Sequence, residues 1–236
     1  MKEAIFQQNN GSVAVIAVTP CGLIKADQLI GLSKLVQSLK LPEIKMTTRQ
    51  TLIVFCSQEQ IDKVKEGLIE LGLSVAGFGG VVRNVKGCSG GPQLCQRVLA
   101  DALELGIEIQ NLFLNQPVPK DFKIATSGCT RGCTDPYCAD FGVIGAGKEL
   151  FNVYLGGRGG SPKPVHGAMI AEKIAKEDVI TLLEHVLKVY RSEGRTHERL
   201  CKTIDRIGLE PFKLNLDAKD ETDQDFLAFL RGAANE

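Results

Sequence analysis

The residues of this chain best suited to chemistry are four cysteines in two close pairs. Cys88 and Cys95 have six residues between them in GCSGGPQLC, and Cys129 and Cys133 have three in SGCTRGC. Both pairs are bracketed by glycines. Thiolate ligands need a backbone that bends tightly, so that the sulfurs converge and amide N–H groups reach the inorganic sulfides, and glycine permits this at low steric cost. Two such pairs from distant segments make one four-sulfur site, and an iron–sulfur cluster there would pass electrons. Four thiolates also suit a structural Zn²⁺, although zinc pairs usually enclose two to four residues and the six-residue gap fits poorly. Cys138, five positions after Cys133, would replace a ligand if the Cys88/Cys95 loop does not close.

The wider composition favours metal chemistry over disulfides. Eight cysteines in 236 residues would read as disulfides outside the cell, whereas in a reducing compartment they point to metal or redox work. The N-terminus MKEAIFQQNNGS has no apolar run suited to secretion, and no stretch approaches the roughly 20 apolar residues of a membrane span. The expected location is cytoplasmic, with no membrane partner. Lys+Arg and Asp+Glu balance at 28 each, which gives no general drive toward nucleic acid. Cys21, Cys56 and Cys201, in a turn, a strand and a helix, read as small buried core residues.

The elements that must position the cysteines follow from periodicity. SVAVIAV (12–18) is a strand, and residues 26–40 carry apolar side chains at helical spacing. TLIVF (51–55) is a second strand and 57–72 a second helix stopped by Gly72. Glycines 77, 79 and 80 mark a boundary near residue 77. Beyond it the pattern predicts a strand at 81–85, a helix at 93–106 closed by Gly106, a strand at 122–128 and a hairpin from 141–147 and 151–157. A Gly/Pro loop (156–164), a strongly amphipathic helix (177–194) and shorter helices at 196–207 and about 222–231 complete the chain. The expected class is α+β: an N-terminal lobe over 1–77, a cluster-binding mixed α/β lobe over 78–213 and a helical tail over 214–236.

At these residues the chain resembles the sirohaem-dependent nitrite and sulfite reductases. In that family a C-x5-C or C-x6-C pair and a later C-x3-C hold a [4Fe–4S] cluster, and the last cysteine, here Cys133, also bridges to the sirohaem iron. KIATSGCTRGCTDPYCADFGVIG resembles the family's cysteine-pair segment. KMTTRQTLIVF (45–55) resembles a motif of its ferredoxin-like lobe that contacts sirohaem, VRNV (82–85) its arginine-bearing strand, and CKTIDRIGLEPFK (201–213) the C-terminal element of its small members. The resemblance implies a ferredoxin-like N-terminal lobe and a cluster- and sirohaem-binding second lobe. Lys45, Thr47, Arg49 and Gln50, at the lead of the second strand, would contact sirohaem. Arg83 and Lys123 would face the distal side of the iron and bind the substrate oxyanion. Sirohaem carries many carboxylates and the substrates are anions, so convergent Lys and Arg are what the chemistry needs. Arg158 and Lys163, on the glycine-rich loop, suit a carboxylate clamp. Implied partners are sulfite or nitrite and an external donor such as a ferredoxin-like protein. Larger members contain two such halves; a single unit implies self-association or a partner chain.

Some positions depart from the family pattern. Aligning TPCGLI on the family's P-G-G turn puts Ile16 where an arginine usually grips substrate, and Lys45 replaces the leading arginine of its motif, a point charge in place of a bidentate fork. GVIGAGK (142–148) has the spacing of a phosphate loop, but Glu149 stands where a Mg²⁺-binding Ser or Thr is required, which argues against nucleotide. His166, His185 and His197 show no metal-pair spacing and read as surface residues.

Overall fold

A computed structural model describes residues 3–75 and 77–215. The chain divides into two compact units, Met1–Gly79 and Gly80–Glu236. The expected helix at 222–231 lies outside the described residues, as does the 214–236 tail beyond Asn215.

The first unit runs β1 (Ile5–Gln7), β2 (Val13–Val18), α1 (Ala26–Ser38), β3 (Ile44–Met46), β4 (Thr51–Cys56), α2 (Ile61–Glu70) and β5 (Ser74–Val75). Leaving β1 aside, this is the βαββαβ order of a ferredoxin-like fold. Antiparallel pairing places β5, β2, β4 and β3 side by side, and β1 and β5 share one edge of β2 in tandem. Val13, Val15 and Ala17 face one side of β2 and pack with Leu32 of α1 and Val64 and Leu68 of α2. Each such fully buried aliphatic side chain contributes about 1.5–3 kcal/mol. The two helices meet at glycines, with Gly31 against Leu71 and Gly67 against Leu35. A side chain at either glycine would force that leucine to move.

The second unit holds β6 (Lys86–Gly87), α3 (Ala102–Phe113), β7 (Ile124–Ser127), β8 (Phe141–Gly147), β9 (Leu150–Leu155), β10 (Ala168–Ile174), α4 (Lys176–Glu193) and α5 (Leu200–Ile207). Its five-stranded sheet has the order β10-β9-β8-β7-β6. β6, β7 and β8 are parallel, whereas β8, β9 and β10 are antiparallel. α3 packs on β6 and β7, and α4 packs on β9 and buries Val179, Leu182, Leu183, Val186 and Leu187. No helix among the described residues is long and apolar enough to cross a membrane.

Several expected boundaries shift. The helix expected at 93–106 is instead α3, at Ala102–Phe113; residues 91–100 form turns closed by Leu94 and Cys95 N–H groups on Gly91 O. Asp101 starts α3 by accepting from the Glu104 N–H, and Gly106 lies buried inside it. The strand expected at 81–85 is extended backbone with single bridges, Val81 to Pro117 and Val82 to Phe122, and regular pairing begins at Lys86. α5 begins at Leu200 where the expected helix began at 196. Lys45 belongs to β3, and residues 47–50 form the turn into β4 instead of the lead of one strand. β1 and β10 carried no alternating pattern and were not expected. GVIGAG is strand β8, paired on both sides, and Lys148 and Glu149 are its hairpin turn at φ 53 and 56.

Candidate metal centre

Parallel pairing of β6 with β7 brings the two cysteine segments together. Lys86 pairs with Ala125 and Gly87 with Thr126, and the Cys88 N–H continues the ladder to Thr126 O at 3.0 Å. Cys88 therefore leaves the carboxyl end of β6 beside Gly128 and Cys129 at the carboxyl end of β7, where open α/β sheets place their ligands. The Gly128 N–H donates to Cys88 Sγ at 3.2 Å across 40 residues of sequence. This is the amide-to-sulfur bonding that the glycine-bracketed pattern calls for.

Glycine is needed here for space. A Cβ at Gly90 would stand 2.6 Å from Cys88 Sγ and 3.0 Å from the Gly128 backbone, and one at Gly145 on β8 would overlap Gly128 O. The loop carrying Cys95 returns onto the same residue, Leu99 N–H donating to Gly128 O at 2.8 Å. Three backbones thus converge on Gly128.

The Cys129–Cys133 loop is held from below. Gly132 takes φ +60 and donates to Cys129 O. Buried Thr134 shares a 2.7 Å hydroxyl pair with Ser127 and donates to Thr126 O at 2.9 Å. Lys86 Nζ meets Asp135 Oδ2 at 3.0 Å, tying β6, which leads into Cys88, to the turn after Cys133. Cys133 is exposed, while Cys88, Cys95 and Cys129 are half-buried. Burial pushes the Cys88 thiol up, the Gly128 and Gly90 N–H groups pull it back, and Cys133 and Cys129 add to the rise. The influence of Cys129 and Cys133 on Cys88 places the three sulfurs in one neighbourhood. Cys95 sits one turn along its loop with its N–H on Gly91 O. No group of three or more His, Cys, Asp or Glu among the described residues is gathered to hold a single ion. Four thiolates on a cubane each bind a separate iron and stand wider than ligands of one Zn²⁺.

Cys138 faces elsewhere. Its carbonyl accepts from the Gly159 N–H at 3.1 Å, and a Cβ on Gly159 would stand 2.9 Å from Cys138 Cβ. The glycine-rich loop therefore lies flat on the segment after Cys133, and a Cβ at Gly157 would overlap Tyr137 O. Arg158 and Val165 pair across this loop, and Arg158 Nε is buried with no hydrogen-bond partner among the described residues. That orphaned donor suits an external carboxylate. Lys163, farther round the loop, is exposed.

At the other end of the same strands the structure joins Arg83 to Lys123. The Arg83 N–H donates to Phe122 O at 2.8 Å, and both side chains address Asp121: Lys123 Nζ is 3.5 Å from Asp121 Oδ2, and Asp121 supports the charge on Arg83, whose pKa burial lowers. Sequence reading missed what lies behind them. Arg199 reaches Asp121 at 3.3 Å and the fully buried Asp140 at 2.7 Å, and Asp140 also accepts the Lys123 N–H at 2.9 Å. These residues lie 59 and 78 positions apart, so no local pattern announces them.

In the first unit, the 47–50 turn is shaped by Thr47, whose Oγ1 pairs with Thr51 Oγ1 at 2.7 Å and accepts from the Arg49 and Thr51 N–H groups at 3.2 Å. Gln50 adopts φ +59 and Gly22 is pressed on it, with a Cβ there 2.8 Å from Gln50 Cβ. Thr47 and Gln50 edge a mainly apolar pocket of about 570 Å³ with Cys21, Ile24, Leu32 and Met46. Lys45 is exposed and Arg49 half-buried. Cys21, Cys56 and Cys201 are buried.

Comparison with known proteins agrees with this geometry. Residues 78–223 match the nitrite and sulphite reductase 4Fe-4S domain, and residues 6–71 the nitrite/sulfite reductase ferredoxin-like half domain. The chain is 28% identical over 214 residues to an assimilatory-type sulfite reductase of Nitratidesulfovibrio vulgaris, covering 90% of this chain and 95% of that one. It is 30% identical over 198 residues to the large subunit of the Escherichia coli NADH nitrite reductase, covering 83% of this chain but 23% of the relative. Among solved structures it resembles dissimilatory sulfite reductase I (TM-score 0.74, 15% identity, 89% of this chain, 71% of that one). It also resembles the Mycobacterium tuberculosis NirA protein (TM-score 0.72, 21% identity, 89% and 41%). Two family domains in tandem, on an α+β fold whose paired parallel strands carry the cysteine segments, make this chain a member of the nitrite and sulphite reductase family, an oxidoreductase family with a 4Fe-4S domain.

Proposed function

We propose that the chain reduces sulfite, or nitrite, by multi-electron transfer through a [4Fe–4S] cluster on Cys88, Cys95, Cys129 and Cys133 to sirohaem linked at Cys133. The observation that carries this is the β6–β7 register: one pair of strands presents cysteines at its carboxyl end and the Arg83–Lys123 pair at its start. A cluster site and an anion site on one rigid pair of strands is what reduction of a small oxyanion requires.

When bound, sirohaem supplies the iron on which the oxyanion is reduced. Lys45, Thr47, Arg49 and Gln50 of the first unit, and Arg158 and Lys163 of the second, would hold its carboxylates and rim; the orphaned Arg158 Nε fits that role. Arg83 and Lys123 would bind the substrate oxyanion and offset charge as oxygen leaves, with Lys123 and ordered water donating protons. Gly128 and Gly90 N–H groups would steady the cluster sulfurs. The two compact units would act as the ferredoxin-like half domain and the cluster domain, with an external reductant as electron source and self-association as the expected assembly.

The test is an anaerobic absorption spectrum with iron and acid-labile sulfide on the same sample, followed by sulfite- and nitrite-dependent oxidation of reduced viologen. Coupled sirohaem and cluster bands with turnover support the proposal; a colourless zinc protein overturns it. Ile16 favours a second reading, a sirohaem and cluster protein that carries electrons or cofactor without reducing an oxyanion. Cofactor bands unmoved by sulfite or cyanide would select it.

A further inference from the structure

Lys86 and Asp135 stand at matching places on the two cysteine segments, Lys86 two residues before Cys88 and Asp135 two residues after Cys133. Side chains alternate between the faces of a strand, and the Cys88 N–H continues the β6 ladder, so Lys86 leaves on the same face as Cys88, about 7 Å along the chain. Its Nζ meets Asp135 Oδ2 at 3.0 Å, and neither side chain has another ion-pair or hydrogen-bond partner among the described residues. Asp135 is fixed through its backbone. It takes φ 54 and ψ 49, in the left-handed region, with its N–H on Gly132 O at 2.8 Å and its carbonyl accepting from the Cys138 N–H at 2.9 Å.

The pair is electrically lopsided. The Lys86 side chain is 17% exposed and that of Asp135 71%, so water screens the carboxylate far more than the ammonium. Seen from the cysteines, a partly desolvated cation is backed by a solvated anion, and the net field is positive. A cluster on four thiolates is anionic, and the electron it takes from an external reductant adds one more negative charge with no bond made or broken. A cation nearby favours that reduced state. We propose that Lys86 is a charge-setting residue that raises the reduction potential of the cluster on Cys88, Cys95, Cys129 and Cys133, and that Asp135 is the positioning residue that holds it there. This rests on the cluster assignment given above.

The test is the midpoint potential of the cluster in the holoprotein, followed by electron paramagnetic resonance, with iron and acid-labile sulfide determined on every sample. Lys86→Met removes the charge and keeps most of the side chain. The ratio of reduced to oxidised cluster at a fixed potential should fall about tenfold, or about 59 mV for one electron, the effect of one charge roughly 10 Å away at an effective dielectric of about 20. Asp135→Asn keeps a residue that tolerates the left-handed backbone, and should raise the ratio by less, about threefold, because the charge it removes is screened. Lys86→Arg should hold the wild-type potential. Opposite signs from the two halves of one ion pair mark a charge effect, whereas a clasp that only ties the loops together would move both variants the same way. Shifts of the same sign, or a Lys86→Met potential that is unchanged or higher, overturn the inference while leaving the cluster assignment in place. Should Lys86→Met bind no cluster, Asp135→Asn decides alone, and the absence of a rise there overturns the inference. A wild-type protein without iron and sulfide overturns the cluster assignment, and the inference with it.

Discussion

Lys45 and Ile16 lie in one cross-strand row, joined through Ile53: Lys45 pairs with Ile53 across β3 and β4, and Ile53 pairs with Ile16 across β4 and β2. All three point to the sheet face opposite the helix core, since Val13, Val15 and Ala17 take the other face of β2. The two departures from the family's basic pattern, Ile for Arg and Lys for Arg, therefore fall on neighbouring positions of one surface. On the proposed function, this row keeps a single exposed point charge, Lys45, toward the bound anions.

Ile16→Arg follows from that row. Ile16 is 9% exposed, and losing its burial costs about 1.5–3 kcal/mol. A guanidinium there would stand in the row of Lys45 and add a second cation to the face. The expected outcome is a lower thermal midpoint with tighter sulfite binding by the holoprotein. Both are read on one sample by calorimetry, and a destabilised protein with unchanged sulfite affinity would mean that this face does not meet substrate.

Cys133→Ser and Cys138→Ser separate the competing ligand assignments. Cys133 shares an electrostatic neighbourhood with Cys88 and Cys129, whereas Cys138 packs against Gly159 on the glycine-rich loop. Iron and acid-labile sulfide should fall to near zero in Cys133→Ser and remain at wild-type levels in Cys138→Ser. Cluster loss in Cys138→Ser would reassign the fourth ligand.

Thr134→Val tests the support beneath the cysteine loop. The hydroxyl is buried, paired with Ser127 Oγ and donating to Thr126 O, and valine preserves the shape while removing one hydrogen bond from each; Thr126 O keeps the Cys88 N–H and Ser127 Oγ the backbone N–H of residue 134. The loss should be about 0.5–1.5 kcal/mol for each lost bond in denaturant unfolding, with faster release of iron to a chelator. A stability loss without faster release would mean that the loop keeps its form without this anchor.

Much of this architecture was legible from its apolar patterning. β2 is a continuous apolar run buried along its whole length, α2 and α4 bury the stripe that their spacing predicts, and α1 buries Leu32 of its stripe while Leu29 stays exposed. α3 was misplaced because Leu94, Val98 and Leu99 mimic a helical stripe, although Leu94 and Leu99 are exposed in turns. The signal for its true start was present in Asp101 and Glu104, a capping pair that the apolar spacing outweighed. β10 was illegible for the opposite reason, as a strand with no fully buried residue leaves no pattern. At the site, the cysteines announced themselves by spacing. Asp121, Asp140 and Arg199 did not, because their pairing exists only once β7, β8 and the start of α5 have assembled.

Glu198 supplies the pH dependence. Its carboxylate accepts from Arg206 Nη2 at 2.8 Å, the Arg195 N–H at 2.9 Å and Thr203 Oγ1 at 3.1 Å, and its carbonyl accepts from the Tyr190 hydroxyl at 2.6 Å. The Arg206 hydrogen bond, followed by the Arg195 N–H, lowers its pKa from 4.5 to about 2. A carboxylate depressed in the folded state favours folding above its unfolded pKa and loses that contribution as protons bind. The stabilising effect should therefore be complete above about pH 5 and disappear as pH falls through 4.5 toward 2. Glu198→Gln should unfold at lower temperature at pH 7 and show a flatter fall in midpoint between pH 5 and 2.5, as measured by scanning calorimetry at fixed salt. A midpoint that falls as steeply in Glu198→Gln as in the wild type would show that another group carries the pH dependence.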